Sequence, residues 1–587
     1  SIQRQGGDAP PAMLVVLEHI SAAAPSAFHG HLEAVASWLD LGDGSTGRVL
    51  LAQRACRVLA AVLPGAGAPA TIGEALRRSL RPLLRDQGSG LTRSVVECLC
   101  VVASEVSPGA AADLRGHVTD SIDLLEQCLK LDVGMDSLMQ RQLCRHAWIL
   151  GTILEHTDAD DEREGEVATS TLISTGAKLL IALCLRGPPS LRPSLVLCLG
   201  FLLRRHFRFL YSASDGSDAL DAFRLGLSAG AAASHGACTL EALATLLERY
   251  VSAAEAQAPA GGEKSGNWGA TVQDSIRKPK ISEVVQRLGT LQPAVLAKLQ
   301  GARHRETFSR AVAVLARFHR LGVLHAASAL PELVAASVGG FAACAVEVRR
   351  LLLRLVEFSP LLLLSRVGAG LRLAAAQLEA QRVPHGELRA QPWRVAFCSE
   401  SYAAQADSWK VRERYLTVLL AELGGSSARS SALTPEQGTT GTRLLLLHAE
   451  LLLAILLSLP YRGELEVAFV LSSASSALAL LAAPLLLAES SLDLGPQNAA
   501  DLLRTCTKIT LLHELCQHLC GGSVATLERL ISVGKAAADG GTVEDRPLPA
   551  GFSRRQLPDV SALLEELNTA AKTGDSEALR TVVLRRI

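Results

Sequence analysis

The sequence predicts an all-α chain of stacked helical hairpins, an α-solenoid. Leu and Ala dominate the composition, and both are strong helix formers. Only 4% of residues are aromatic, and strand-like alternation of β-branched residues is hard to find. Helical runs are punctuated at intervals of roughly 15–25 residues by Gly, Pro or Ser clusters, as helices joined by turns would be.

Composition narrows the class further. The 587 residues are 49% hydrophobic and 20% charged, which excludes a mostly disordered chain. Length alone allows about four domains at roughly 150 residues each, but repeat arrays break that rule. There are 58 basic and 58 acidic side chains, so bulk charge does not hold this chain to nucleic acid. Local basic stripes remain open. Arg far outnumbers Lys; Arg suits bidentate phosphate contacts, but a bias of the source genome gives the same excess, and we favour that cause. The 13 Cys form no CxxC pair and mostly sit in apolar runs, as Cys98, Cys100, Cys184 and Cys198 do. They read as buried free thiols of a reducing compartment. The chain starts at Ser1 without a signal peptide or an initiator Met, and we expect it to be part of something longer.

Breaks fall at Pro64–Pro69, at Ser107-Pro108-Gly109, at Gly187-Pro188-Pro189 and at Gly424-Gly425-Ser426. The acidic run 158–166 reads as a loop. Residues 256–280, with Gly261-Gly262, Trp268 and Arg277-Lys278-Pro279-Lys280, read as a linker. We therefore expect helical repeats over 1–90 and 91–255, the linker or long loop over 256–280, and further repeats over 281–533. A weakly ordered tail with a short helix covers 534–587. Helices beginning near Arg93, Arg192, Arg310 and Val348 share a form, a basic residue near the start followed by small and large apolar residues. With residues 238–247 they recur at very roughly 40–50-residue steps, apart from a double-length interval between Arg93 and Arg192 and a wider gap across the 256–280 linker, and that step suits HEAT-type hairpins. One hairpin cannot cover its own apolar face, so stacked neighbours complete each other's core and form a curved hook.

Residues 467–488 carry no charge and are long enough to span a bilayer. The Ser cluster at 472–476, Pro484, and His448 and Glu450 in the preceding apolar segment speak against that. Buried solenoid helices look the same by hydropathy, and we expect no membrane span. No P-loop, GxSxG, HExxH, EF-hand or dinucleotide fingerprint is present. His513, Cys516 and Cys520 share a helical face with His518 nearby, but zinc sites usually draw ligands from two elements. We expect a plain core helix there, no metal, no cofactor and no enzyme.

Basic clusters are the remaining handle. Arg204, Arg205 and Arg208 close one helix, interleaved with Phe201, Phe207 and Phe209. Arg303, Arg305 and Arg310 open another, Arg349, Arg350 and Arg354 share a third, and Lys410, Arg412 and Arg414 begin a fourth. Each could hold phosphate. The plainer account is that they solvate repeat ridges or favour a helix C-terminus.

Several segments, in order, resemble the cohesin-loading subunit family known as Nipped-B or the sister chromatid cohesion loader. Arg141-Gln-Leu-Cys-Arg-His-Ala-Trp-Ile-Leu-Gly-Thr-Ile-Leu-Glu-His156 is similar to the family helix that precedes an acidic loop. Leu199-Gly200-Phe201 matches a Gly-Leu-Gly-Phe-like core. Gly322-Val-Leu-His325 and Leu330-Pro331-Glu-Leu333 resemble the family's Gly-Leu-Val-His-Pro and Val-Pro-Tyr-Leu, with Ala326 where the family usually has Pro. The helix from Lys410 to Leu420 resembles its Arg-rich helix, and Leu459-Pro460-Tyr461-Arg-Gly-Glu-Leu-Glu466 its Phe-Pro-Tyr…Glu-Glu turn.

The resemblance covers roughly residues 90–530. It implies a nuclear, chromatin-associated HEAT-repeat hook that binds cohesin through its ATPase heads and kleisin, clamps double-stranded DNA, and stimulates cohesin's ATP hydrolysis. It also implies a Mau2-type partner for an N-terminal region outside this chain. The rivals are another HEAT scaffold, such as a condensin HEAT subunit or a Pds5-like regulator, and a transport adaptor.

Overall fold

A computed structural model of the chain describes residues 11–41, 46–64, 66–84, 89–130, 137–157, 166–256, 279–358, 360–384, 387–405, 409–424, 438–487, 496–521, 523–538 and 546–548, with isolated positions between 562 and 582. Apart from one isolated bridge between Gly463 and Pro547, the regular structure among these residues is helical. The chain divides into two compact units, one of residues 1–298 and 313–324, the other of 299–312 and 325–587. The 256–280 segment falls inside the first span, and its residues 257–278 lie outside the described ones. So does most of the acidic run 158–166.

The first unit holds α1 (Pro11–Ala23), α2 (Leu32–Ala36), α3 (Thr46–Val62), α4 (Ala70–Leu83), α5 (Ser89–Glu105), α6 (Pro108–Lys130), α7 (Ser137–His156), α8 (Glu166–Arg186), α9 (Arg192–Arg205), α10 (Ala213–Leu227), α11 (Ala233–Ala256) and α12 (Pro279–Gly289). α13 (Gln292–Gln300) and α14 (Arg305–Arg320) are divided between the units. Odd-numbered helices stack in series, α1 on α3, α3 on α5, and so on to α11. Even-numbered helices form the second layer, where α6 meets α8 and α8 meets α10. In that layer Arg77 of α4 reaches Asp113 of α6 at 2.6 Å.

This layering explains the apolar runs. α7 has α5 and α9 on its flanks and α6 and α8 across from it, so every residue from Ala147 to Glu155 is buried. A helix covered on all sides needs no polar face.

The second unit continues with α15 (Ala326–Gly339), α16 (Ala345–Phe358), α17 (Pro360–Ala380), α18 (Glu387–Ala390), α19 (Ala396–Ala404), α20 (Trp409–Gly424), α21 (Gly438–Ser458), α22 (Glu464–Leu487), α23 (Pro496–Cys520) and α24 (Val524–Ala538). Here α15, α17, α21 and α23 stack in series, while α16 meets α19, α20 meets α22 and α22 meets α24. By length and composition two helices of this unit, Pro360–Ala380 and Glu464–Ala482, could cross a membrane. In the second of them Val467, Ala468, Val470, Leu471 and Ala474 are fully buried against neighbouring helices. The tail also contributes to the core, since Leu564 and Leu567 are fully buried.

Two helix ends show the same capping motif with different residues. After α14, Gly322 adopts φ +70° and Val323 N–H donates to the Phe318 carbonyl at 3.0 Å. After α17, Arg382 takes the same place with φ +56°, and Val383 N–H donates to the Leu378 carbonyl at 3.0 Å. Left-handed backbone suits glycine at this position and strains an L side chain. Arg382→Gly is therefore expected to stabilise the second unit by about 0.5–1 kcal/mol. A rise in its urea midpoint checks this, and a fall would show that the arginine side chain outweighs the strain.

Candidate nucleic-acid interface

The clustered cations are dispersed into three different situations. Some are turned inward. Arg412 is buried: its Nε donates to Glu466 Oε1 at 2.7 Å and its Nη1 to the Gln405 carbonyl at 3.5 Å. Glu466 Oε2 also accepts from Tyr402 Oη at 2.8 Å and from the Arg462 backbone N–H at 2.9 Å. Arg412 therefore ties α20 to the start of α22 and presents little to solvent.

Others are already paired with a carboxylate, on a neighbouring helix or on their own. Arg204, in the last turn of α9, pairs with Glu155 of α7. Arg349 of α16 reaches Glu400 of α19 at 2.9 Å. Arg310 pairs with Glu306 one turn earlier in α14, at 2.7 Å. A guanidinium in such a bridge is partly neutralised before any phosphate arrives.

The third group faces solvent. Arg303 and Arg305 are exposed around the start of α14, Arg350 and Arg354 lie one turn apart on α16, and Lys410 and Arg414 lie one turn apart on α20. A spacing of four residues puts both members of a pair on one helical stripe. Arg205 in the first unit is exposed as well and has a polar partner of its own. The Arg208 side chain lies outside the described residues.

Sequence reasoning passed over the acids that organise these arginines. Glu155 is 4% exposed and receives Arg204 from α9 while Arg93 of α5 stands 3.7 Å away. Burial raises its carboxyl pKa, and the two arginines oppose that rise. Arg93 also bonds Glu97 at 2.7 Å and lies over the Phe201 ring, 3.5 Å from its centroid. A lone Glu closing the apolar run Ile149–Leu154 was the available signal, because a charge there must be paired.

The zinc candidates are ordinary helix residues. Cys516 and Cys520 are buried on α23, Cys520 Sγ donates to the Gln517 carbonyl at 3.4 Å, and His513 faces Gln517. Among the described residues no three His, Cys, Asp or Glu side chains converge on a metal-sized site. The cysteines are free thiols, and burial pushes Cys184 and Cys398 up to about 12.

No family model matches the sequence, and no curated protein sequence does either. Solved structures do match. The C-terminal fragment of the Chaetomium thermophilum cohesin loader SCC2 superposes over 99% of this chain with a TM-score of 0.68 and 14% identity. The chain shares the fold of the part of that fragment it covers. This chain spans 40% of the length of that fragment. Importin beta matches with a TM-score of 0.31 and 12% identity, over 96% of this chain and 71% of its own. The chain is a HEAT-type helical solenoid, as its repeat spacing predicts.

Proposed function

We propose that this chain acts as the HEAT-repeat body of a cohesin loader, binding cohesin and double-stranded DNA and promoting cohesin's loading onto chromatin. The fold likeness to SCC2 along nearly the whole chain carries the reading. The ordered resemblance of the segments between Arg141 and Glu466 supports it independently. The chain works in the nucleus, touches the ATPase heads and kleisin of cohesin, and hydrolyses nothing itself. Stacked hairpins suit this task, because small rotations between neighbours add up along an array.

DNA is held through phosphates, by the cations that remain in solvent: Arg303, Arg305, Arg350, Arg354, Lys410 and Arg414. Such binding is indifferent to sequence and weakens with salt, the slope changing by about 0.9 per phosphate contact. ATP hydrolysis by the cognate cohesin core, measured with DNA and with or without this chain, tests the proposal. Stimulation is expected, and it should fall when Arg350, Arg354, Lys410 and Arg414 are all reversed to glutamate. A folded chain that neither captures cohesin nor stimulates its ATPase would remove the loader reading.

A further inference from the structure

Glu155 lies in the middle of three stacked helices, met by Arg93 from α5 and by Arg204 from α9. The two arginines differ in freedom. Arg93 is 24% exposed, bonded to Glu97 and stacked on Phe201. Arg204 is 42% exposed, in the last turn of α9 beside the exposed Arg205. One guanidinium is fixed by three neighbours, while the other has one carboxylate partner and a path to solvent.

We infer that Arg204 is a shared guanidinium: Glu155 holds it in the free chain, a nucleic-acid phosphate competes for it, and binding thereby loosens the α7–α9 seam. This rests on the DNA-binding reading above and extends its phosphate contacts to Arg204, which is paired in the free chain. Arg204 cannot present its fork fully to both anions, so the two contacts are linked. Whatever factor the bridge takes from phosphate affinity, bound phosphate takes from the bridge.

Two features make the exchange feasible. A buried carboxylate stripped of its only partner would oppose release strongly. Glu155 is not stripped, because Arg93 stands 3.7 Å from Oε2, an oxygen that has no hydrogen-bond partner in the free chain. The seam also keeps a second tie. His206 Nε2 is 2.6 Å from the Leu154 carbonyl, anchoring the end of α9 to α7 whatever Arg204 does. The change is thus a local slackening of one repeat interface, and nearest-neighbour coupling passes it along the array.

Anisotropy titrations of a short labelled duplex, at several salt concentrations, read the competition directly. Glu155→Gln keeps the side chain's size and an acceptor but releases Arg204. It should bind about three- to tenfold tighter than wild type with little change in salt slope, because phosphate takes Arg204 in both bound chains and only the competing carboxylate is lost. Adding the same change to Arg204→Ala should alter nothing. Hydrogen exchange of the unmodified chain reads the seam: saturating duplex should speed exchange over residues 150–156 and 200–206. Wild-type affinity in Glu155→Gln, or unchanged exchange in the saturated chain should the variant not fold, overturns the shared-guanidinium inference and leaves DNA binding standing. A wild-type chain that does not bind the duplex overturns both.

Discussion

Glu466→Ala is expected to destabilise the second unit by about 3–5 kcal/mol, the effect of stranding a buried charge. The carboxylate is satisfied from three directions, by Arg412, by Tyr402 Oη and by the Arg462 backbone N–H. Its removal takes away the carboxylate that pairs the buried Arg412 guanidinium, whose contact with the Gln405 carbonyl is long, at 3.5 Å. Tyr402→Phe should weaken the same cluster by only about 1 kcal/mol, since one neutral donor is lost and the ion pair survives. The double change Arg412→Met with Glu466→Leu should recover part of that loss, because an apolar pair removes both charges' desolvation penalties while Tyr402 Oη and the Arg462 N–H still lose their acceptor. Urea denaturation of these variants measures all three. Equal losses in the single and double variants would show that the cluster stabilises through packing rather than charge.

This cluster also brings together two of the segments on which the sequence resemblance rests. The Arg-rich helix from Lys410 and the Pro-Tyr turn ending at Glu466 are separate segments, and Arg412 and Glu466 join them. Arg141–His156 and Leu199–Phe201 meet in the same way: Trp148 packs on Phe201 with ring centroids 6.0 Å apart, and Glu155 receives Arg204. The segments are held to their form by contact with one another. Helices and their order were legible because periodicity and breakers are local signals.

The direction of each arginine was not legible. Arg412 and Arg414 are two residues apart on one helix, yet one is buried and the other exposed. Only the partner helix decides which, and that partner lies some 50 residues away in sequence, far outside any local window. Charge clustering therefore overstated the basic surface. The cations that bridge repeats and those left in solvent read alike along the chain.

Gly200→Val is expected to destabilise the first unit by about 3 kcal/mol through overpacking. A Cβ built at Gly200 would stand 2.6 Å from Ala242 Cβ and 2.9 Å from its Cα, so α9 and α11 touch almost backbone to backbone. The neighbouring seam is built the same way, with Gly151 of α7 facing Cys198 Cβ at 2.8 Å. Neither glycine has left-handed backbone, so its role is closeness and not a turn. Valine must push the helices apart by more than a side-chain adjustment allows, because the atoms it meets include backbone. Gly116 provides the control. It lies in α6 with nothing within 4 Å of its Cβ position, so Gly116→Ala should stabilise by about 0.5–1 kcal/mol through helix propensity. If both substitutions shift the denaturation midpoint in the same direction, spacing at the α9–α11 seam is not what Gly200 supplies. If they diverge as expected, the seam's width is fixed by one missing methyl group, and the array's stability rests on interfaces between repeats as much as on the helices themselves.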